Sequence, residues 1–119
     1  EDLCAREGIG VFPYYGLASG FLTGKYRSEA DYSKSVRGGG MKRYLNEKGL
    51  KVLAALDAVS AKSGASLAQI SLAWVMARPS IAAPIASATG VAQLEELMGA
   101  ARLKLDAEAL SALDAASAP

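Results

Sequence analysis

Four stretches of the chain repeat apolar residues at helical spacing. Val52, Leu53, Leu56 and Val59 fall on one face, and Gly64 supplies a left-handed stop, so the pattern predicts a helix from about Glu47 to Ser63. Ser66 with Gln69 three residues later fits a capping box. It opens a helix striped by Leu67, Ile70, Ala73, Trp74 and Ala77 and closed before Pro79. Thr89 or Gly90 can cap a third helix with Val91, Leu94, Leu97, Met98 and Ala101 on one side. Asp106 is the expected N-cap of a last one, with Leu105 and Leu110 placed as a hydrophobic staple. Two shorter apolar runs, near 9–13 and 81–86, lack helical period and suit buried strands that open into loops. Leu3 to Gly8 resembles the end of a helix closed by glycine.

The order strand, loop, helices, strand, helices predicts an α/β fold with parallel neighbouring strands and helices outside. Between Tyr14 and Asn46 there is no sustained period. So long a loop within a domain of 119 residues is expected to be functional or mobile.

Composition then narrows the chemistry. Thirteen Lys and Arg against twelve Asp and Glu leave a net charge of +1, which argues against a generic nucleic-acid binder. The charge is unevenly placed: residues 25–51 hold eight basic residues against three acidic, so an anion site is expected in the first half. There is no histidine, which removes Ser-His-Asp and Cys-His catalysis from this chain, and Cys4 is the one cysteine. Cys4 is expected to be buried and inert, Trp74 to lie in the core, and the cysteine usage to suit a reducing cytoplasm. No apolar stretch approaches the roughly 20 residues of a spanning helix, so no membrane role is expected. The first residue is Glu, and the chain is expected to start within an element, as a fragment would.

Two segments carry candidate chemistry. Pro13 to Tyr26 follows the first apolar run and places Gly16, Gly20 and Gly24 at a spacing of four, with Lys25 at the end. Small residues and glycines there suggest backbone amides exposed to an anion beside a cation, a phosphate cradle. The same loop could equally turn tightly and bind nothing. It is no Walker A loop, since Ser19 and Tyr26 occupy positions that motif reserves for Gly and Ser/Thr. Gly8 to Pro13 does not make a doubly wound dinucleotide fingerprint either. The second segment, Pro84 to Glu96, again follows an apolar run and leads into a helix N-terminus, where amides and the helix dipole favour phosphate.

Together the two segments resemble the aldo-keto reductases, in particular the longer branch that includes potassium-channel β-subunit types. Pro13 to Tyr26 is similar to that family's loop after the seventh barrel strand. Residues 66–96, with Gln69, Ala73, Trp74, Pro84, Ile85, Gln93, Leu94 and Glu96, are similar to its eighth-strand region. The resemblance implies the C-terminal portion of a (β/α)₈ TIM-type barrel, with residues 1–119 a partial barrel that holds the seventh- and eighth-strand regions and their helices. It also implies NADPH as cofactor and aldehydes or ketones as substrates. Tyr14 would stack on nicotinamide; Tyr15, Leu17, Ser19 and Gly20 would pass over the pyrophosphate; Lys25 would lie near the cofactor phosphates. Ser87, Thr89, Gln93 and Glu96 would hold the adenosine end, and Arg37 or Lys34 would face the adenosine phosphate.

Two departures from the family pattern stand out: Ser87-Ala88-Thr89 replaces Gly-Ala-Ser/Thr, and Leu97 stands where an Asn commonly follows the Glu. The family's acid tyrosine, its lysine and aspartate, and its histidine lie on earlier strands. The chain is therefore expected to contribute cofactor binding and no catalytic residue, the chemistry residing in an absent N-terminal barrel part. No nucleic-acid or metal partner is implied. A non-catalytic nucleotide-sensing subunit, or an inactive truncated product, remains the alternative.

Overall fold

The computed structural model describes all of residues 1–119. Five α-helices follow one another: α1 (Asp2–Arg6), α2 (Glu47–Ser63), α3 (Leu67–Met76), α4 (Val91–Ala100) and α5 (Ala107–Ser117). Three of them carry the caps expected from sequence. Gly64 ends α2 at φ 73°, Ser66 and Gln69 form a reciprocal capping box on α3, and the Asp106 carboxylate accepts from the Ala109 amide on α5. Gly90 caps α4 without any side-chain bond.

The two apolar runs do lie parallel, but they meet in a single bridge, Val11 with Ile81, and no strand forms. The Val11 amide donates to the Ser80 carbonyl at 2.8 Å, and the Ala82 amide to the Val11 carbonyl at 2.9 Å. In a parallel ladder the next donors along this register are residues 13 and 84, and both are proline, which has no N–H. Ile85 donates to the Pro13 carbonyl instead, at 3.0 Å and one residue out of step. On the other side the Ile9 amide is taken by the Cys4 carbonyl at the end of α1. The ladder is therefore stopped at both ends by local chemistry.

The core lies among α2, α3 and α5. Leu53, Leu56, Ile70 and Leu113 are fully buried, with Val52 and Val59 beside them. The segment 14–46 is not the open loop its lack of period implied. It folds into three short 3₁₀ segments, Ala18–Thr23, Glu29–Lys34 and Gly38–Arg43, and supplies Phe21, Tyr26 and Met41 to the same core. Single large residues among many small polar ones leave no periodic signature, yet each anchors one turn of this segment. Arg27 adds a polar clamp: its guanidinium donates to both Asp57 carboxylate oxygens on α2 at 2.8 and 2.9 Å and to the Gly24 carbonyl at 2.8 Å.

Three further expectations are revised. Cys4 is half-buried rather than buried, because α1 is five residues long and buries none of them. Trp74 packs on the core only in part, its indole N–H donating to Asp114 at 2.8 Å while Arg78 lies over its ring. On α4 the expected apolar stripe faces outward. Val91, Leu94 and Met98 are exposed, and only Ala100 is buried.

Candidate functional site

The bridge between Val11 and Ile81, with the Ile85-to-Pro13 bond beyond it, brings the ends of both apolar runs together. The two segments that follow them therefore emerge side by side. They bound an open cleft of about 1020 Å³. One wall is built by Tyr14, Tyr15, Leu17, Ser19, Gly20 and Lys25 together with Lys34 and Arg37; the other by Ser87, Thr89, Gln93 and Glu96. Every residue that the resemblance assigns to the cofactor thus lines one concavity, while Gly16, Gly24 and Tyr26 of the same loop do not. Thr23, Ser35, Val36, Ala68, Ile85, Ala86 and Leu97 line it as well. Ala68 and Leu97 are apolar positions on helices, so nothing in their local pattern separates them from ordinary packing residues.

At one end stand two aromatic rings. Tyr14 and Tyr15 are 69% and 65% exposed, with their centroids 5.1 Å apart in an edge-on arrangement. Such flat, unburied π-faces can stack on a planar ring. Neither hydroxyl has a hydrogen-bond partner in the chain.

The loop that follows is strained. Ala18 and Ser19 have φ of 48° and 58°, and Gly20 follows at 99°. Gly20 adopts this region without cost, whereas the left-handed state costs a β-carbon-bearing residue about 1–2 kcal/mol. The turn is held by its own bonds: the Ala18 amide donates to Tyr15, and the Gly20 and Leu22 amides both donate to Leu17. The amides of residues 18, 20 and 22 are thereby spent inside the loop, whereas those of Gly16 and Leu17 make no backbone bond. An anion there would also meet side chains. Ser19 and Lys25 line the cleft, and Arg43 reaches the Ser19 hydroxyl at 3.5 Å while stacking on Tyr44.

The structure also separates the two cations that sequence left as alternatives. The Lys34 ammonium is engaged by Asp31 at 2.6 Å and donates to the Lys25 carbonyl at 3.0 Å. Asp31 answers with a pKa lowered to about 2, held down first by Lys34 and then by the Arg27 and Ser28 amides. The Arg37 guanidinium, exposed on the cleft wall, has no ion-pair partner. Lys25 on the same wall is likewise without an ion pair, its ammonium lying over the Tyr26 ring.

Across the cleft, Gln93 reaches back from the first turn of α4 to the residue before its Gly90 cap. The Gln93 side-chain oxygen accepts from the Thr89 amide at 2.8 Å and lies 3.3 Å from its hydroxyl. Gln93 and Glu96, three residues apart, share the helix face turned toward the cleft. Leu97 gives that wall an apolar spot. The cleft as a whole suits an elongated ligand with an aromatic ring at one end, anionic groups along the basic wall and a polar ring system at the other.

No group of three or more His, Cys, Asp or Glu side chains is arranged to hold a metal ion. No helix is long and apolar enough to cross a membrane. A second, smaller cavity of about 160 Å³ between α2 and α5 is rimmed by Lys62 and Glu108, which pair with each other at 2.5 Å.

Known proteins resemble this chain over most of its length. Aldo-keto reductase yakc of Schizosaccharomyces pombe, whose name carries NADP(+), is 31% identical over 105 residues, covering 86% of this chain and 31% of its own length. A probable voltage-gated potassium channel subunit beta of Arabidopsis thaliana is 31% identical over 103 residues, 82% of this chain and 31% of its own. L-glyceraldehyde 3-phosphate reductase of Escherichia coli O157:H7 is 28% identical over 120 residues, 95% of this chain and 35% of its own. The chain thus spans about a third of the length of the curated relatives it matches. The model of the aldo/keto reductase family matches residues 1–118, nearly the whole chain, and the chain belongs to that family.

Proposed function

We propose that residues 1–119 are the C-terminal, cofactor-binding part of an NADP-dependent oxidoreductase that reduces aldehydes or ketones, in a TIM-type barrel whose preceding part supplies the catalytic groups. The reading rests above all on one observation: the Tyr14–Lys25 segment, Arg37 and the Ser87–Glu96 segment line a single cleft. The family membership and the roughly one-third coverage of the relatives support the rest. A cytoplasmic setting fits the same reading.

The residues present fit the cofactor. Tyr14 offers a stacking face for the nicotinamide, and Tyr15, Leu17, Ser19 and Gly20 line the path of the pyrophosphate, with Lys25 adding positive charge. Ser87, Thr89, Gln93 and Glu96 contact the adenosine end, where Arg37, free of any protein carboxylate, pairs with the 2′-phosphate. The bound nicotinamide supplies hydride, and this chain's residues only bind and orient. Proton transfer to the carbonyl oxygen belongs to groups outside residues 1–119.

Cofactor preference provides the test. In the complete reductase, fluorescence titration gives tighter binding of NADPH than of NADH, and Arg37→Ala weakens NADPH roughly tenfold while leaving NADH nearly unchanged. Equal affinity for both cofactors in the unmutated protein overturns the assignment. Residues 1–119 alone are expected to give no turnover with a reactive aldehyde. They are also expected to self-associate or bind hydrophobic dye, because Val91, Leu94 and Met98 remain uncovered. The Arabidopsis relative's name favours a second reading, a nucleotide-binding subunit without catalysis. Turnover by the complete protein decides against it.

A further inference from the structure

The rotation of α4 about its own axis is not the one its sequence pattern asks for. At about 100° per residue, Leu94 and Met98 lie about 160° around the helix from Glu96. An apolar stripe would normally turn toward the neighbouring helix, yet the side of α4 that meets α3 is the one bearing the Glu96 carbonyl, Gly99 and Ala100. The contact between α3 and α4 shows what fixes that orientation.

Gln69, on the first turn of α3, stands at the contact. Its side-chain oxygen accepts from the Ser66 amide at 3.0 Å, and its side-chain nitrogen donates to the Glu96 carbonyl at 2.9 Å. The two partners, one a donor and one an acceptor, leave the amide a single orientation. Gly99 completes the contact: a β-carbon there would collide with the Gln69 side-chain nitrogen. The side chain cannot swing aside without giving up one of its bonds, so close approach of the helices requires glycine at 99. Next to Gln69, Ala68 lines the cleft, and on α4 so do Gln93, Glu96 and Leu97. The brace therefore joins two helices that both line the cleft.

We propose that Gln69 is a positioning residue for the adenosine end of the cofactor cleft: by tying the Glu96 carbonyl to the cap of α3 it sets the rotation of α4 that turns Gln93 and Glu96 into the cleft. The inference rests on the dinucleotide reading of the cleft given above. Gln69 itself does not line the cleft, so its effect passes through α4.

The substitution Gln69→Glu separates the brace from the cap. A glutamate still accepts from the Ser66 amide, as in the common form of the capping box, but offers no donor to the Glu96 carbonyl. Ser66→Ala does the reverse, weakening the cap while sparing the brace. Gly99→Ala crowds the brace from the other helix, although alanine is otherwise the better helix former.

The experiment measures, by titration calorimetry on the complete reductase, the affinities of adenosine 2′,5′-bisphosphate and of reduced nicotinamide mononucleotide, with melting temperature alongside. Gln69→Glu and Gly99→Ala are each expected to weaken the adenosine probe roughly three- to tenfold and to leave the nicotinamide probe within twofold. Gly99→Ala adds nothing further in a Gln69→Ala background, where the space is already open. Ser66→Ala lowers the melting temperature without changing the ratio of the two affinities. An adenosine probe that binds Gln69→Glu and Gly99→Ala as tightly as the unmutated protein, or a loss shared equally by both probes, overturns the proposal while leaving the cleft a dinucleotide site. Failure of the unmutated protein to bind the adenosine probe overturns that reading and the proposal with it.

Discussion

In α2 the residues Val52, Leu53, Leu56 and Val59 are all buried, whereas in α4 the corresponding Val91, Leu94 and Met98 stay 73%, 51% and 57% exposed. Both helices carry an apolar stripe at the same spacing, and both pack against α3. The difference lies in what else surrounds them. α2 is also met by α5 and by Phe21, Tyr26 and Met41 from the segment before it, so every direction its stripe can face is filled. α4 meets α3 through a polar brace and a glycine, and its stripe has no partner within the chain. Amphipathic spacing states which face gains by burial; whether anything covers it is decided by the neighbours.

The sharpest way to break this comparison is to truncate one leucine on each helix. Leu56→Ala is expected to lower stability by about 2–5 kcal/mol, since a fully buried leucine leaves a cavity, whereas Leu94→Ala changes it by less than about 0.5 kcal/mol. Chemical denaturation of the 119-residue chain, at concentrations dilute enough for sedimentation to show a monomer, measures both. Similar losses at the two sites would mean that α4 is covered in solution.

Helix starts provide a smaller contrast. Asp106→Ala removes the bond to the Ala109 amide on α5 and is expected to cost about 1 kcal/mol. At α4 the Gly90 cap makes no such bond, and its backbone is extended with open space where a β-carbon would stand, so Gly90→Ser is expected to gain a few tenths of a kcal/mol. Thermal melts of the two variants sharpen the view that α5 is locally satisfied and α4 is not.

The smallest effect concerns the clamp between α2 and the segment before it. Hydrogen bonds from Arg27 hold the Asp57 carboxyl below its usual 3.8, and Asp57 in turn raises the Arg27 guanidinium. Both side chains are 40–50% exposed, so solvent screening limits the pair to under about 1 kcal/mol. A depressed carboxylate contributes its full stability above the unfolded value of 3.8 and loses it as pH falls through the lower folded one. The stability gap between the unmutated chain and Asp57→Asn should therefore be constant near neutrality and close on acidification below about pH 4. A gap that persists at pH 2 would show that Asp57 acts through packing rather than charge. α4, which has no such ion pair to its neighbours, should show no comparable acid-sensitive term.

The residues of the cleft were legible because they sit in two contiguous segments, each recognisable in one dimension. Their meeting in space was implied by the parallel order of the two apolar runs. The committed state of Lys34 was not legible, since Asp31 is one of many acidic residues that could have faced elsewhere. Nor were the spent amides of residues 18, 20 and 22, because a left-handed turn at Ala18 and Ser19 runs against the preference of both residues.

Caps, helix spans and the separation of charge along the chain follow from interactions within a few residues, and the sequence by itself determined them. Ser66 finds Gln69, and Asp106 finds the Ala109 amide, wherever the rest of the chain goes. Long-range pairing decided the remainder. Only the register of Val11 against Ile81 places Pro13 and Pro84 on the rung where their missing N–H groups end the ladder, and only the approach of Gly99 to Gln69 turns α4 away from its own hydrophobic pattern. Such outcomes depend on which surfaces meet, and a side chain's local spacing carries no record of its distant partner.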